Sequence, residues 1–198
     1  MAKVKLTKNE LKRQKDRLSR FKRYLPTLQL KKQQLQMVLR KVEREEREKE
    51  QARQQSYEAM QAWIAVFGEP VELEELVKIR ELITSDGNIA GIDIPVFENI
   101  DFEDIPWDLY DTPVWIDSGI AKMKEIIGLD AEIRVLQEQR ERIAEELRIT
   151  SQRVNLFEKV MIPETQENIR QIQIYLGDQQ TAQVVRGKFA KRKVERRA

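Results

Sequence analysis

The feature that most constrains the fold of this chain is a narrow apolar stripe in its last third. The stripe follows the a and d positions of one heptad frame at Ile133, Leu136, Ile143, Leu147, Val154, Phe157 and Met161. At Pro163 it restarts one residue out of register, with Ile162, Ile169, Ile172 and Leu176. A stripe this narrow cannot close a core by itself, so it predicts a partner helix along most of its length.

A second stripe near the start of the chain provides that partner. Its a and d positions hold Leu11, Leu18, Phe21, Leu25, Leu28, Leu35, Leu39 and Val42, interrupted by Gln14 and Lys32. Thr7 and Glu10 have the spacing of a capping box, which predicts the helix start. Pro26 lies inside the stripe without breaking its spacing, so we expect a bend and not a stop.

These two stripes predict an antiparallel coiled coil, in which residues 18–42 face residues 154–176. Residues 43–56, which follow the first stripe, are almost wholly polar. We interpret them as a solvated helix with many salt bridges, and a disordered linker is the alternative. Helical periodicity resumes at Tyr57, and Gly68 is the expected helix end.

Between the two helices, the sequence predicts a small α/β insert. Residues 73–83 have the pattern of a short helix, and residues 86–88 (Asp-Gly-Asn) are a turn signal. The β-branched and aromatic residues that follow predict a hairpin with strands near 88–94 and 96–103, with Pro95 at the bend or on an edge.

The resulting fold class is mostly α: a long antiparallel two-helix coiled coil with an α/β insert that contains a β-hairpin. We expect three regions. Residues 1–68 form the N-terminal long helix, residues 69–111 the acidic insert, and residues 112–198 the C-terminal long helix with a basic tail. Thr112 and Pro113 are the predicted cap and first position of the second long helix.

Composition excludes most catalytic chemistry. The 198 residues include no cysteine and no histidine, which removes thiolate chemistry and the commonest general base and metal ligand. Arg186-Gly-Lys188 resembles half of a phosphate-binding loop but lacks the rest of that motif. An acidic cluster lacks the spacing of a calcium loop; it comprises Asp101, Glu103, Asp104, Asp108 and Asp111. We therefore expect no catalytic residue, no cofactor and no metal.

Charge is distributed unevenly along the chain. Residues 3–23 carry ten Lys or Arg and two acidic residues, a net of +8, and residues 186–198 carry a net of +6. Residues 69–111 carry thirteen acidic residues and two basic ones, a net of −11. Basic ends on a helical protein suit nucleic acid, an anionic lipid surface or the lining of a protein ring. The acidic insert and the lack of a base-reading motif argue against nucleic acid.

Several segments resemble one family along nearly the whole chain. They are residues 6–11, 25–35, 88–98, 153–163 and 188–193, and the most specific is Arg153-Val-Asn155-Leu-Phe-Glu158-Lys-Val-Met-Ile-Pro163. In these segments the chain resembles the D subunits of the V/A-type rotary ATPases, which are the central-stalk rotor subunits. A coiled-coil nucleic-acid-binding or scaffold protein is the alternative.

The resemblance implies a non-catalytic rotor shaft in a proton- or sodium-transporting ATPase. The expected partners are the catalytic A and B subunits, the small F subunit and the C subunit, with no small-molecule substrate and no nucleic acid. The implied bearing in the catalytic head comprises Lys12, Arg13, Arg17, Lys188, Lys191, Arg192 and Lys193. The implied docking residues of the insert are Ile89, Gly91, Ile92, Pro95 and Phe97. The expected location is cytoplasmic, at the membrane through the complex.

Overall fold

The computed structural model describes residues 4–61, 76–106 and 115–196. Its elements, in chain order, are α1 (Lys8–Gln61), β1 (Ile79–Ile89), β2 (Ile92–Phe102), α2 (Ile116–Leu156), a π-helical turn (Phe157–Met161) and α3 (Ile162–Glu195). The mostly helical fold with a two-stranded hairpin, predicted from the sequence, is confirmed.

The chain divides into two compact units. The first unit contains the residues up to Lys32 and those from Ile149 onward, and the second contains Gln33–Arg148. Both units therefore hold a segment of α1 and a segment from the second half of the chain. Each is built around the contact between those two segments.

The predicted cap of α1 is confirmed, and Pro26 does not end the helix. The backbone N–H of Glu10 donates a hydrogen bond to Oγ1 of Thr7 at 3.2 Å, so Thr7 satisfies one of the free donors at the helix start. The helix continues through Pro26 without interruption. The interpretation that Pro26 does not end the helix is confirmed.

In the first unit, the start of α1 runs antiparallel to α3. The rings of Phe21 and Phe157 are in contact, and Val4–Leu6 share a groove with residues 159–175. The predicted register was wrong, because residues 18–42 were expected to face residues 154–176. Heptad spacing fixes which side of a helix faces its partner, but it leaves the choice between successive heptads open.

In the second unit, α1 and α2 enclose an apolar core together with the hairpin. The buried cluster consists of Leu35, Val42, Ile94, Leu136 and Ile143. Around it pack the half-buried side chains Val38, Leu39, Ile89, Ile92 and Leu147. The core therefore belongs to three elements, and the hairpin is one wall of it.

The hairpin differs from its prediction in position. β1 and β2 pair antiparallel, with Ile89 opposite Ile92, so the turn is Ala90-Gly91. Both turn residues have positive φ, 55° and 79°, as a two-residue hairpin turn with the favoured twist requires. The predicted strands near 88–94 and 96–103 were therefore wrong.

Gly87 does not mark the predicted turn, whereas Pro95 lies on an edge strand, one of its two predicted places. Gly87 lies inside β1, where a Cβ would come within 2.7 Å of Cγ2 of Val96. Glycine is needed there for close approach and not for a bend. Pro95 lies inside β2, opposite Asp86, and a two-stranded sheet tolerates it because both strands are edges.

The short helix predicted over residues 73–83 is wrong for its second half. Residues 79–83 lie in β1 and pair with β2 from Phe102 to Asn99, because cross-strand pairing outweighs their helical spacing. Residues 73–75 lie outside the described residues. So do the predicted helix end at Gly68, the predicted cap at Thr112 and Pro113, and the acidic residues Asp108 and Asp111.

Candidate interaction surfaces and family

The helix pair of the first unit is centred on two aromatic rings. Phe21 of α1 and Phe157 of the π-helical turn lie 5.2 Å apart between centroids, with an interplanar angle of 88°. This edge-to-face arrangement is the favourable one for aromatic pairs. Phe157 is half-buried, so the pair is a contact on an accessible two-helix seam and not part of an enclosed core.

The predicted seam residues of the first unit are all at least half-buried. Val154 and Ile172 are buried. The half-buried ones are Leu11, Leu18, Phe21, Leu25, Leu28, Phe157, Met161, Ile169 and Leu176. Leu35, also predicted for the seam, is buried in the core of the second unit.

The seam also contains buried polar side chains that the apolar pattern did not reveal. Gln14, Thr150 and Thr165 are each buried. Nε2 of Gln14 donates to Oε1 of Glu10 at 2.8 Å, and Oγ1 of Thr165 donates to the carbonyl of Met161 at 2.6 Å. Their heptad spacing was the only signal that could have found them.

In the second unit, a polar ladder joins α1 to α2. Arg140 binds both carboxylate oxygens of Glu46, and Lys49 pairs with Glu132 at 2.8 Å. Arg53 pairs with Asp130 at 2.8 Å, and Ser56 donates to Glu125 at 2.8 Å. Residues 43–56 therefore form a helix with many salt bridges, as predicted. Several of these bridges reach the other helix instead of lying along one solvated face.

Ion pairing in the ladder shifts two pKa values. The hydrogen bond to Asp130 raises the pKa of Arg53 above its ordinary value. Hydrogen bonds from Lys122 first, and from Ser56 next, lower the pKa of Glu125. Both shifts favour the charged forms, so these two groups are fully ionised near neutral pH.

The hairpin is attached to α2 by hydrogen bonds as well as by its apolar tip. Nε2 of Gln139, which is buried, donates to the carbonyl of Pro95 at 2.6 Å. Nη1 of Arg142 donates to the carbonyl of Asp93 at 3.0 Å. At the base of the hairpin, Nζ of Lys124 lies 5.4 Å from the ring centroid of Phe102. The hairpin is thus held by α2 at its tip and at its base.

The predicted docking residues of the insert fall on different sides of the hairpin. Ile89 and Ile92 pack against the core of the second unit, Pro95 and Phe97 are half-buried, and Gly91 is exposed at the turn. The exposed apolar residues, which sequence reasoning missed, are Ile79, Leu82, Ile83 and Val96. Three of these lie on β1, which sequence analysis took to be largely helix and turn.

The predicted bearing residues are all exposed. Lys12, Arg13 and Arg17 lie on the first turns of α1, and Lys188, Lys191, Arg192 and Lys193 lie near the end of α3. The two groups are not side by side. Because Phe21 meets Phe157, the end of α3 extends roughly 25 residues beyond the start of α1, about 37 Å along the helix.

The last part of α3 is exposed around its whole circumference. Every residue from Gly177 to Arg196 is exposed. Among these residues, Val184, Val185, Phe189 and Val194 are large and apolar, and they alternate with the basic residues above. The half-motif Arg186-Gly-Lys188 lies within this helix, so it forms no loop that could surround a phosphate.

The described parts of the chain hold neither a metal-binding cluster nor a membrane span. In residues 4–61, 76–106 and 115–196, no group of three or more acidic side chains is placed to hold a metal ion. No helix within those ranges combines the length and apolarity that a membrane span requires.

Comparison with known proteins identifies the family. The family model for the D subunit of ATP synthases matches residues 10–192. The chain is similar to the V-type ATP synthase D subunit of Borreliella burgdorferi, with 52% identity over 191 residues that cover 96% of this chain and 95% of that protein. The chain belongs to the family of ATP synthase D subunits.

Other members of this family match over the same length. The V-type ATP synthase D subunit of Chlamydia abortus is 37% identical over 197 residues, covering 98% of this chain and 95% of the relative. That of Chlamydia trachomatis serovar L2 is 34% identical over 195 residues, covering 97% and 96%. Membership in the D-subunit family makes this chain a component of a V/A-type rotary ATPase.

Proposed function

We propose that this chain is the central-stalk rotor shaft of its ATPase. It carries torque between the catalytic head, made of A and B subunits, and the ion-translocating ring in the membrane. In this role the chain cleaves no ATP and moves no ion itself. It operates at the membrane on the cytoplasmic side, attached through the complex.

The observation that carries the proposal is the fixed pairing of two antiparallel helices. A single helix twists easily, whereas two helices joined by seam contacts resist rotation of one against the other. Phe21 and Phe157 make such a contact in the first unit. In the second unit, the ion pairs Glu46–Arg140 and Arg53–Asp130 also join the two helices. A protein that only tethered two parts would need none of these contacts.

The exposed end of α3 supplies the surface that turns inside the head. Long basic side chains there stand between exposed apolar ones, and Phe189 and Val194 are two examples. Such a surface favours diffuse contacts with a ring of subunits over a few locked pairs. Lys12, Arg13 and Arg17 on α1 form a second, separate group of exposed basic side chains.

The hairpin is the proposed docking site for the small F subunit or the C subunit. It presents Ile79, Leu82, Ile83 and Val96, together with a free strand edge that can accept a further strand. Its buried residue Ile94 shares one core with residues of α1 and α2. Force applied to the hairpin therefore reaches both helices through Ile94.

Rotation of a single probe tests the proposal. This chain has no cysteine, so Glu98→Cys on the exposed side of β2 gives one attachment point for a bead or a fluorophore. With the catalytic head fixed to a surface, ATP should drive stepwise rotation of the probe. The chain without the introduced cysteine, treated in the same way, is the control.

A second experiment tests the location of α3. Lys193→Cys, cross-linked to the head, should stop ATP turnover, and reduction of the cross-link should restore it. Continued ATP hydrolysis with a stationary probe, or with the cross-link intact, would overturn the rotor assignment.

A further inference from the structure

The two helices of the first unit do not follow the same heptad count. On α1, Gln14, Leu18 and Phe21 keep the alternating spacing of three and four residues. On the other side, Thr150, Val154 and Phe157 keep it as well. After Phe157 the same spacing continues one residue late, at Ile162, Thr165, Ile169, Ile172 and Leu176. The second strand of the coil thus has one surplus residue.

The π-helical turn contains that surplus residue. The N–H of Ile162 donates to the carbonyl of Phe157, five residues back, whereas an α-helix bonds four residues back. A π-helical turn inserts one extra residue without breaking the helix. The late restart of the apolar stripe and the unusual turn are therefore the same feature.

Backbone hydrogen bonding is weakened on both helices around this turn. Pro163, directly after it, has no N–H to donate, and Oγ1 of Thr165 bonds the carbonyl of Met161. On α1, Pro26 lies five residues from Phe21. The two prolines therefore lie about 8 and 9 Å along their helices from the Phe21–Phe157 contact. That contact therefore lies within two turns of a missing backbone N–H donor on each helix.

We propose that the turn at Phe157–Met161 is a torsional joint in the coil, with the Phe21–Phe157 contact as its pivot. An uninterrupted heptad repeat holds one supercoil along its length. One residue of surplus corresponds to about 100° of helix rotation. The turn lets the part of α3 beyond Pro163 change its rotation against α1 while Phe157 stays in contact with Phe21. The use of this joint in torque transmission rests on the rotor function proposed above.

Deleting Glu158, which is exposed, tests the joint directly in the full chain. Without it, the late stripe moves into the frame of Val154 and Phe157, and the turn can close into an α-helix. We expect a melting temperature equal to or above that of the wild type. The amides of residues 159–162 should exchange with solvent at least tenfold more slowly.

The matched control is deletion of Gln166, an exposed residue about two turns further on. That deletion rotates the fully buried Ile172 out of its buried position, so it should lower the melting temperature clearly. If the Glu158 deletion lowers the melting temperature as much as the Gln166 deletion, or leaves amide exchange unchanged, the joint does not exist.

A last measurement tests the role of the joint in the assembled ATPase. With the catalytic head locked, the angular fluctuation of a probe on Glu98→Cys should narrow when Glu158 is deleted. An unchanged width would overturn the role in torsion. Failure of the rotor function itself has a different signature, because the probe on the otherwise wild-type chain would then not rotate with ATP.

Discussion

Arg140 of α2 and Glu46 of α1 form a two-point ion pair across the helix pair of the second unit. One guanidinium nitrogen lies 3.1 and 2.9 Å from the two carboxylate oxygens of Glu46. The Glu46 side chain is 6% exposed, whereas that of Arg140 is 40% exposed. Glu46 follows Val42 by four residues, so it occupies the next seam position, where the heptad pattern calls for an apolar side chain.

Removing the arginine should destabilise the second unit. Arg140→Ala leaves the buried Glu46 carboxylate without its partner, and we expect a loss of about 2–3 kcal/mol of unfolding free energy. The expected loss is at the low side for a buried pair because Arg140 is partly solvated. Chemical denaturation of the isolated chain measures it.

Two further variants distinguish the loss of an ion pair from the cost of leaving a buried charge unpaired. Arg148→Ala breaks an exposed pair within one helix and should change stability little. The double variant Glu46→Leu with Arg140→Leu should recover most of the lost stability, because no buried charge is left unpaired. A double variant as unstable as Arg140→Ala would contradict this account.

Phe157→Ala should weaken the first unit. The ring is half-buried against Phe21, so we expect a loss of about 2–3 kcal/mol, below the range for an enclosed phenylalanine. Phe189→Ala is the control in the isolated chain, because Phe189 is 66% exposed and should contribute little. Thermal or chemical unfolding of the two variants gives the comparison.

In the assembled ATPase, the same substitution should reduce coupling. A loosened seam lets the helices twist against each other, so fewer ions should move for each ATP hydrolysed, while ATP binding to the head persists. ATP-driven ion pumping and ATP hydrolysis are measured on one reconstituted sample. An unchanged ratio of the two rates, in a variant shown to be less stable, would argue against torque passing through this contact.

Two glycines of the hairpin should respond differently to substitution. Gly91→Ala forces a side chain into positive φ and should cost about 1–2 kcal/mol. Gly87→Ala should also destabilise, because the new Cβ would lie 2.7 Å from Cγ2 of Val96. Adding Val96→Ala should relieve the second variant and not the first. Equal rescue of both would mean that the close approach at Gly87 has been misassigned.

The polar ladder should make stability depend on acid pH. Bonds from Lys122 and Ser56 lower the pKa of Glu125 in the folded chain. The stability that the Glu125 carboxylate contributes is therefore fully present above the pKa of Glu125 in the unfolded chain. It is lost as pH falls through the lower pKa of Glu125 in the folded chain. Ser56→Ala should bring the Glu125 pKa closer to its ordinary value, as an NMR titration would measure, and should reduce stability by at most a few tenths of a kcal/mol. Glu125→Gln should remove this part of the pH dependence, and a Glu125 pKa unchanged by Ser56→Ala would contradict the assignment.

The helices could be predicted because their signals are local. Thr7, Glu10 and the heptad stripes specify where α1 starts and which side it buries, whatever it packs against. The one-residue slip after Phe157 was visible in the sequence too, but spacing alone does not say how a helix absorbs it. The choice of a π-helical turn is a property of the backbone next to Pro163.

The hairpin and the helix register could not be predicted in the same way. The Asp86-Gly87-Asn88 sequence is a strong local turn pattern. In the structure, however, the missing side chain of Gly87 leaves space for Val96 of the opposite strand. Register depends on contacts between distant residues, such as Glu46 with Arg140. The exposure of Ile79, Leu82 and Ile83 on β1 was missed for the same reason, since it depends on which parts of the hairpin the helices cover.

The buried position of Ile94 makes the hairpin a part of the core of the second unit. Its side chain is 2% exposed and shares one core with Leu35, Val42, Leu136 and Ile143. Cutting out residues 86–103 would therefore open that core to water and would not leave the helix pair intact. By the same reasoning, the hairpin of a relative could not be exchanged into this chain as a cassette. A working chimera would also need the matching residues of both helices. The hairpin, α1 and α2 therefore have to change together during evolution.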